Sequence, residues 1–498
     1  MSAIPKIPKQ IESRTAAFGN AEPFDSAAVT LRQEGWIRRE YGPNAAAGRL
    51  EINRARAQDG TRNNPWLQYA IELLVSHEIG CGIQPSPKIE DPGLRKQLID
   101  DWNDWTPNAD ADGVNDFYGW QTLLAQARRE SGEVFIRLRA RRPQDGYAVP
   151  LQVQALEAAI VPQNHNITYR NNNIRHGIEF NAIGQRAAYW CHRAHPADPW
   201  SNPSELSRVP AGEILHHYTP KRPGQIRGVP HPATALIRAR NFDLYEAAEL
   251  TRKRARAKFT GAIWREDDAE NPVTDDAPRT PAESKKYWED KHEIQQHSRT
   301  YVDLEDGYLL NLGQSERAEL FNGDTGGAGS AEFLRMQLRA IAAGMQVPYE
   351  LLTGDYEGTN DRVMRVILNV FYRRLEVAQE QMIAQVLQPI WRAWMDAKKY
   401  SDGRAYRRAL EKLQRPYRCE WRTHAWSYPN MLQEVQTAIL KINNGLTSRR
   451  AVVAESGWDV DDIDADQAQD RQRERDLGLT YGAPAPDATA STDAANPP

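Results

Sequence analysis

The sequence contains little cysteine, no long apolar run and almost no excess of either charge. Its 498 residues include three cysteines, Cys81, Cys191 and Cys419. So few thiols, so far apart, do not build a disulfide framework, and they favour a reducing compartment. No apolar run approaches the ~18 residues of a membrane-spanning helix, and the N-terminal segment lacks the hydrophobic stretch of a signal peptide. The formal net charge of −4 excludes a globally basic nucleic-acid-binding protein but not a local contact with DNA.

What is present is the composition of an ordinary globular protein with an unusual share of tryptophan. Hydrophobic residues make up 40% of the chain and charged residues 26%, which argues against wholesale disorder. The length predicts about three structural units. There are 14 Trp against 10 Phe, in a chain with a mean hydropathy of −0.71. A polar protein with many large amphipathic rings typically buries wide surfaces against something else.

The first half of the chain predicts an α+β unit with a mostly antiparallel sheet. One helix follows Asn64, a predicted N-cap, and ends at Gly80. A second covers residues 116–129. Between residues 133 and 218, alternating apolar positions predict short strands in EVFIRLRAR, LQVQALE and EILHHY, and a hairpin within GIEFNAIGQRAAYWCHR.

The second half is mainly helical. Residues 232–258 predict one long polar helix, which is too polar for the core of a monomer. A further helix is predicted over 330–344, ended by Val347-Pro348. After the polar loop GDYEGTND, another is predicted over 362–388, which Pro389 interrupts before Trp391 and Trp394 continue it. The stretch YRCEWRTHAW alternates like a strand, and a last group of short helices follows it.

Two histidine-containing segments are the nearest approach to a metal or acid–base site. Cys191 and His192 are adjacent on a predicted strand and so point to opposite faces, and no second pair completes a set with His195 and Asp198. The pattern therefore favours a surface hairpin. The pair His216-His217 predicts one packed and one exposed histidine rather than a catalytic base.

Nucleotide-binding and hydrolase motifs are missing from the sequence. It contains neither GxxxxGK[ST] nor GxSxG. The acidic run DVDDIDAD lacks the central Gly and the bidentate Glu of an EF-hand loop, so a solvated helix with an acidic first turn is expected there.

Four ordered blocks carry a resemblance to a known family. They are RARAQDGTRNNPWLQYAIELLVSHEIGCGIQPSP, GVNDFYGWQTLLAQARRESGEVFIRLR, VPAGEILHHYTPKRPGQIRGVPHPATALIRARNFDLYEAAEL and SAEFLRMQLRAIAAGMQVPYELLTGDYEGTN. In this order, across about residues 25–480, they resemble the lambda-type portal proteins of tailed bacteriophages.

The resemblance implies the α+β portal fold and a ring of subunits, usually about twelve, at one vertex of the phage head. Double-stranded DNA would pass through its channel, without sequence specificity, during packaging and ejection. The corresponding regions are a loose arm (1–25), the wing (26–231), the first stem helix (232–260), the clip (261–327), the second stem helix (328–346), a connector with a tunnel loop (347–362), a long helix with a return strand (363–427), the crown (428–480) and a disordered tail (481–498).

The resemblance also suggests which residues would meet DNA or a neighbouring subunit. The tunnel loop would face DNA with Asp355, Tyr356, Glu357, Thr359, Asn360 and Arg362. The first stem helix would line the channel or a subunit interface with Arg238, Arg240, Arg252, Lys253, Arg254, Arg256 and Lys258. Asp355 and Glu357 would discourage phosphate binding, which suits a channel through which DNA must slide.

The implied partners are the terminase large subunit, the major capsid and scaffold proteins, and a head-completion or tail connector protein. No cofactor, metal, membrane or enzymatic activity is expected. The protein would assemble in the bacterial host cytoplasm and reside in the virion, at the head vertex. Trp66 is expected to pack within the wing, and the late tryptophans are candidates for subunit contacts: Trp391, Trp394, Trp421 and Trp426.

Two alternatives stay open. One is a metal-dependent DNA-processing enzyme that binds magnesium through the acidic run, with Asp459, Asp461, Asp462 and Asp464. The other is an interaction protein derived from a defective prophage.

Overall fold

A computed structural model describes residues 41–258 (except 201, 203 and 204), the segments 261–265 and 316–320, and residues 328–478 (except 402, 403, 414, 425, 427–430, 457 and 459). The predicted N-terminal arm and C-terminal tail, and the strand-like pieces TYVDL and GYLLNL of the predicted clip, lie outside the described residues.

The described helices are α1 (Leu50–Asn63), α2 (Pro65–Ile79), α3 (Pro92–Trp105), α4 (Phe117–Ser131), α5 (Leu236–Lys258), α6 (Ala328–Met345), α7 (Tyr349–Thr353), α8 (Asp361–Met382), α9 (Gln388–Ser401), α10 (Arg404–Glu411), α11 (Met431–Asn443), α12 (Arg449–Glu455) and α13 (Val460–Leu477). None of them is long and apolar enough to span a bilayer.

The described strands are β1 (Gln84–Pro87), β2 (Glu133–Ala140), β3 (Leu151–Glu157), β4 (Thr168–Tyr169), β5 (Asn172–Arg175), β6 (Ile178–Phe180), β7 (Arg186–His192), β8 (Leu206–Pro210), β9 (Ile214–Tyr218), β10 (Gly261–Arg265), β11 (Glu316–Leu320) and β12 (Cys419–Arg422). They form antiparallel sheets in the orders β3-β2-β9, β4-β5-β6-β7-β8, β1-β12 and β10-β11. The α+β class and the antiparallel pairing are therefore confirmed.

The three-stranded sheet is buried on both of its faces. Val134 and Ile136 pack into the core formed with the helices, whereas Phe135 between them packs into a second core under the five-stranded sheet. The burial expected to alternate along β2 does not alternate: the residues from Glu133 to Ile136 are all buried, and those after residue 136 are partly or fully exposed.

Tryptophans form the centre of the helical core. Trp102 lies 5.2 Å from both Trp391 and Trp394, and Trp394 lies 6.5 Å from Trp105, with the rings tilted or edge-on. Trp391 and Trp394 are fully buried inside the subunit, so they are not contacts between copies. Trp66 packs within the subunit, edge-on against Phe242 of α5, which belongs to the predicted first stem helix and not to the predicted wing.

Side-chain caps and a left-handed glycine mark the ends of the helices α2 and α4. The side chain of Asn64 accepts a hydrogen bond from the Leu67 N–H (2.9 Å), and Asp116 does the same for Gly119 (2.7 Å). Gly132, with φ of 87°, ends α4 in the left-handed region. No side chain fits there, because a Cβ on Gly132 would lie 2.3 Å from the carbonyl carbon of Val229.

The prediction that Pro389 interrupts the long helix is wrong. A π-helical turn, Ile383–Leu387, joins α8 to α9, and Pro389 lies in the first turn of α9. The wider turn accommodates a residue that has no N–H to donate and whose ring would clash with a regular preceding turn. The chain therefore continues as helix through this point.

The predicted stem helices differ in how much of their surface the subunit covers. The C-terminal end of α6 is covered, because Ile341, Ala342 and Met345 are buried. In α5, Ala239 and Phe242 are buried while Ile237 and Leu244 remain exposed. The stretch expected to be the clip begins and ends with β10 and β11, which pair with each other. The helix α11 ends two residues before Gly445, and its apolar residues Leu432, Val435 and Ile439 are exposed.

Candidate functional site

The loop between α7 and α8 is the segment that the sequence marks as a tunnel loop. It begins at Gly354 and turns again at Gly358, both with positive φ (70° and 73°). The N–H of Thr359 donates to the carbonyl of Tyr356 (3.0 Å), which closes the turn. Asn360 then caps α8 by accepting from the Val363 N–H (2.9 Å). The loop is a compact turn mounted on the start of a 22-residue helix.

Both acidic side chains of this loop are held by neighbouring elements. Arg335 of α6 forms an ion pair with Glu357 (2.7 Å) and lies 3.7 Å from Asp355. The hydroxyl of Tyr349, at the start of α7, donates to Asp355 (2.9 Å). The loop is thus tied to the predicted second stem helix as well as to α8.

These contacts change the charge that the loop presents. The Tyr349 hydrogen bond, followed by the Glu357 N–H and the charge of Arg335, lowers the pKa of Asp355. The hydrogen bond to Glu357 raises the pKa of Arg335. Asp355 and Glu357 share one cation, so the loop repels phosphate less than two free carboxylates would.

The other predicted loop residues divide by exposure. Tyr356 is 52% exposed at the tip, and Arg362 is exposed on the first turn of α8. Thr359 is half-buried, and the side-chain oxygen of Asn360 is occupied by the helix cap. Tyr356 and Arg362 are the two predicted contacts left most accessible.

The predicted basic residues of the first stem helix point to solvent where their side chains are described: Arg238, Arg240, Arg252, Lys253 and Arg254. Arg252 pairs with Glu249 on the same helix (2.6 Å). The side chains of Arg256 and Lys258 lie outside the described residues. No single surface unites these cations, because they occupy several sides of α5.

Sequence reasoning missed a buried ionic network around Glu133. Glu133 receives hydrogen bonds from Arg227 (2.8 Å), from His216 (2.9 Å) and from the N–H of Gly228 (2.8 Å), and Arg54 lies 3.3 Å away. Burial alone would raise the pKa of Glu133, but the Arg227 charge and the His216 hydrogen bond outweigh it and hold the pKa far below its usual range. The network fixes the segment that leads into α5.

A second ionic group joins α2 to α4. Glu78 is fully buried and accepts from Arg128 (2.8 and 2.9 Å) and from Nε of Arg129 (3.0 Å). Its backbone carbonyl accepts from Gln379 of α8 (2.8 Å). A charged residue within the apolar stripe of a helix, such as Glu78 in α2, is the sequence pattern that could have indicated this buried ionic group.

The histidine pair is buried on both sides, so the expectation of one exposed histidine is wrong. His216 faces Glu133, and His217 bonds Gln385 in the π-helical turn (2.7 Å). Burial lowers the pKa of His216 to about 4 and that of His217 to about 3. Both are neutral at physiological pH and serve as packed hydrogen-bonding groups.

The side chains of the hairpin with Cys191 and His195, where the structure describes them, do not form a metal site. Cys191 is buried, and burial raises its pKa to about 11, while His195 lies 3.2 Å from Glu157. Among the residues that the structure describes, no three His, Cys, Asp or Glu side chains are placed to hold a metal ion.

The acidic run lies at the start of α13 and pairs with arginines. Asp461 pairs with Arg95 (2.9 Å) and Asp464 with Arg449 (2.6 Å). Asp459 and the side chain of Asp462 lie outside the described residues. The acids that can be placed thus bridge to other helices rather than converge on one point.

Comparisons with known proteins agree on one family. The model described as "Phage portal protein, lambda family" matches residues 30–379. The chain is similar to the "Probable portal protein" of Halomonas phage phiHAP-1 (24% identity, covering 95% of this chain and 92% of that protein). It is also similar to "Portal protein B" of Escherichia phage lambda (21% identity, covering 85% and 84%). Among solved structures, the neck of an empty GTA particle shares 15% identity, covers 84% of this chain and 95% of that one, and has a TM-score of 0.48.

Proposed function

The chain belongs to the lambda family of phage portal proteins, and from that membership we propose that copies of it form a closed ring around a DNA channel at one vertex of a phage head. Double-stranded DNA passes through this channel during packaging and ejection, without sequence-specific contacts. The match over residues 30–379 carries the proposal, and three features of the described residues support it.

The first support is the uncovered apolar surface of the stem and long helices. On α5, Ile237 is 75% exposed and Leu244 60%; on α6, Met336 is 59% exposed. On α8, a row of valines faces outward: Val363, Val366, Val370 and Val377. A closed ring would bury such rows against the neighbouring copies.

The second support is the position of the candidate loop. It lies at the joint of α6, α7 and α8 and presents an exposed Tyr356 and Arg362 beside neutralised acids. Such a surface offers glancing contacts to a phosphate backbone without the counterion release that strong binding requires. In this proposal the loop faces the DNA, and the regions follow the boundaries given above for wing, stem, clip and crown.

The third support is the lack of converging acids in the part of the acidic run that is described. Asp461 and Asp464 each pair with an arginine of another helix. The described part of the run therefore does not bring carboxylates together, as a magnesium-dependent enzyme would require. We infer a structural conduit. The packaging motor, the capsid and scaffold proteins, and the head-completion or tail connector protein are its proposed partners, and the virion is its proposed location after assembly in the host cytoplasm.

Negative-stain imaging with mass measurement of the purified protein tests the ring. Rings of about a dozen subunits with a central hole are expected. The double variant Leu244→Glu, Met336→Glu should remain folded yet lose the rings, because charges replace exposed apolar contacts; exchange of the exposed Ile183 for Glu is the matched control. Strict monomers at high concentration, with scaffold and capsid proteins present, would overturn the ring. Metal-dependent nicking of plasmid DNA that Asp461→Ala abolishes would favour the enzyme instead.

A further inference from the structure

A cleft of about 300 Å³ opens between the three-stranded and the five-stranded sheet. It lies where β2 leaves the second core: Phe135 is covered, and the next two residues on that face, Arg137 and Arg139, are partly exposed. Arg193 and Ser207 border the cleft from the side of β7 and β8. The lining is Arg137, Arg139, Gln154, Leu156, Cys191, His192, Arg193, Ser207 and Val209.

The lining of the cleft is cationic. It holds three arginines and no carboxylate. Arg139 donates Nε and Nη2 to the amide oxygen of Gln154 (2.9 and 2.6 Å) and forms no ion pair with any described residue. Burial, together with the charges of Arg137 and Arg141, lowers the pKa of Arg139. The guanidinium groups of Arg137 and Arg139 lie on one face of β2 and repel each other, and an anion between them would relieve that repulsion.

Two carboxylates pair with these arginines from outside the cleft, and a third, Asp112, which accepts a hydrogen bond from Gln154 (2.9 Å), acts electrostatically on Arg139. Glu213 lies 3.8 Å from Arg137, and Glu205 lies 3.0 Å from Arg193; both carboxylates are half exposed. Exposed pairs of this kind contribute little and exchange readily with other anions. They leave the interior of the cleft without a counter-charge.

Hydrogen-bonding groups also remain unmatched at the cleft. Nε of Arg137 and Nδ1 of His192 are buried from solvent and have no hydrogen-bond partner among the described residues. A buried polar atom without a partner is costly, and an acceptor oxygen on a ligand in the cleft would relieve that cost at Nε of Arg137.

The floor of the cleft indicates what carries the anion. Leu156, Cys191 and Val209 present apolar surface between the arginines. Methylene groups pack on such a floor, whereas a phosphate gains nothing from it, and a DNA duplex is too wide to enter. A glutamate or aspartate side chain has the required combination of an aliphatic stem and a planar carboxylate that matches the guanidinium fork.

We propose that this cleft binds carboxylate side chains of an acidic segment of a partner protein. The site is complete within one subunit, so the proposal does not depend on ring formation or on passage of DNA. It assigns the space between the two sheets to protein recognition.

Fluorescence anisotropy with a labelled peptide of alternating Glu and Leu tests the proposal on the full chain, against a peptide with Gln in place of Glu. The variant Arg139→Gln, Arg193→Gln should bind the Glu peptide at least about tenfold more weakly, since two charge-assisted contacts are lost. The control, Arg373→Gln with Arg392→Gln on α8 and α9, removes the same charge elsewhere and should bind as the unaltered protein does. Arg193→Gln alone, at a 70% exposed side chain, keeps the test valid if the double variant does not fold.

Three outcomes would overturn the proposal. One is equal binding of the Glu peptide by the cleft variant and the control. Another is equal binding of the Glu and Gln peptides. The third is displacement of the Glu peptide by inorganic phosphate or a short DNA duplex, but not by chloride of equal ionic strength, which would assign the cleft to phosphate instead.

Discussion

Gln385 accepts a hydrogen bond from His217 across 168 residues of sequence, with 2.7 Å between Oε1 of the amide and Nδ1 of the imidazole. The same amide accepts from the N–H of Tyr218 (3.1 Å) and donates to its carbonyl (3.1 Å). It therefore completes the free edge of β9, which is the outer strand of its sheet. Gln385 lies in the π-helical turn, and α8, which carries the candidate loop, ends just before it. These hydrogen bonds fix the loop-bearing helix to the three-stranded sheet.

Gln385→Leu should lower the free energy of unfolding by about 1–3 kcal/mol, because it leaves His217 and the edge of β9 without partners in a buried place. Urea unfolding followed by tryptophan fluorescence measures the change. Gln68→Leu, at an exposed glutamine of α2, is the control and should change stability by less than about 0.5 kcal/mol. Equal stability of the two variants would show that the π-helical turn is held by apolar packing alone.

The sequence predicts local features of this fold better than distant pairings. Asn64, Asp116 and Gly132 mark helix ends because a cap involves residues within four positions. The pairing of Glu133 with Arg227 joins residues 94 apart, and no local pattern encodes it. For the same reason His217 could be placed on a strand but its burial could not be foreseen, since burial depends on which helix covers that strand. The loop was located by its polar composition, but its tether to Arg335 was not.

Buried histidines predict a loss of stability in mild acid. Burial lowers the pKa of His216 to about 4, and those of His217 and His231 to about 3. The unfolded chain binds protons at these sites below about pH 6.5, whereas the folded chain does not, so stability is full above that pH and falls as pH drops towards 4. Urea unfolding at a series of pH values measures the slope. His217→Gln should make it shallower below pH 6.5; an unchanged slope would exclude His217 as a source.

The tryptophan cluster predicts one large packing loss. Trp394 is fully buried against Trp102 and Trp391, so Trp394→Ala should lower the free energy of unfolding by about 3–5 kcal/mol. Trp200→Ala deletes an indole ring that is 90% exposed to solvent, so it should have little effect on the free energy of unfolding. Thermal unfolding of both variants measures the difference. Comparable losses would mean that Trp200 is covered in the assembled protein.

Arg335→Ala should release the candidate loop without unfolding the subunit. The variant removes the ion pair to Glu357 and the cation near Asp355, so both carboxylates lose their counter-charge and the loop loses its tie to α6. Limited proteolysis should then cleave within residues 354–361 faster, and in packaging assays the added negative charge should reduce the DNA packaged. Arg392→Ala on α9 is the matched control. Unchanged cleavage and packaging would show that the Tyr349 hydrogen bond alone holds the loop.

Tyr356→Ala tests whether the loop itself meets DNA. The side chain is half exposed at the tip, while the turn is closed by backbone groups and by the cap of α8, so its removal should leave the fold and ring formation intact. If the aromatic face and the hydroxyl of Tyr356 touch the passing DNA, packaging or retention of DNA must change when this side chain is removed. Asp355→Ala acts through charge instead, because it removes a carboxylate that repels phosphate, and it loosens the turn as well, because Asp355 also accepts from the Glu357 N–H; packaging or retention of DNA should change in this variant too. Intact rings with unchanged packaging and retention in both variants would rule out a DNA-facing role for this loop, and would leave the exposed cations of α5 as the remaining candidates for contact.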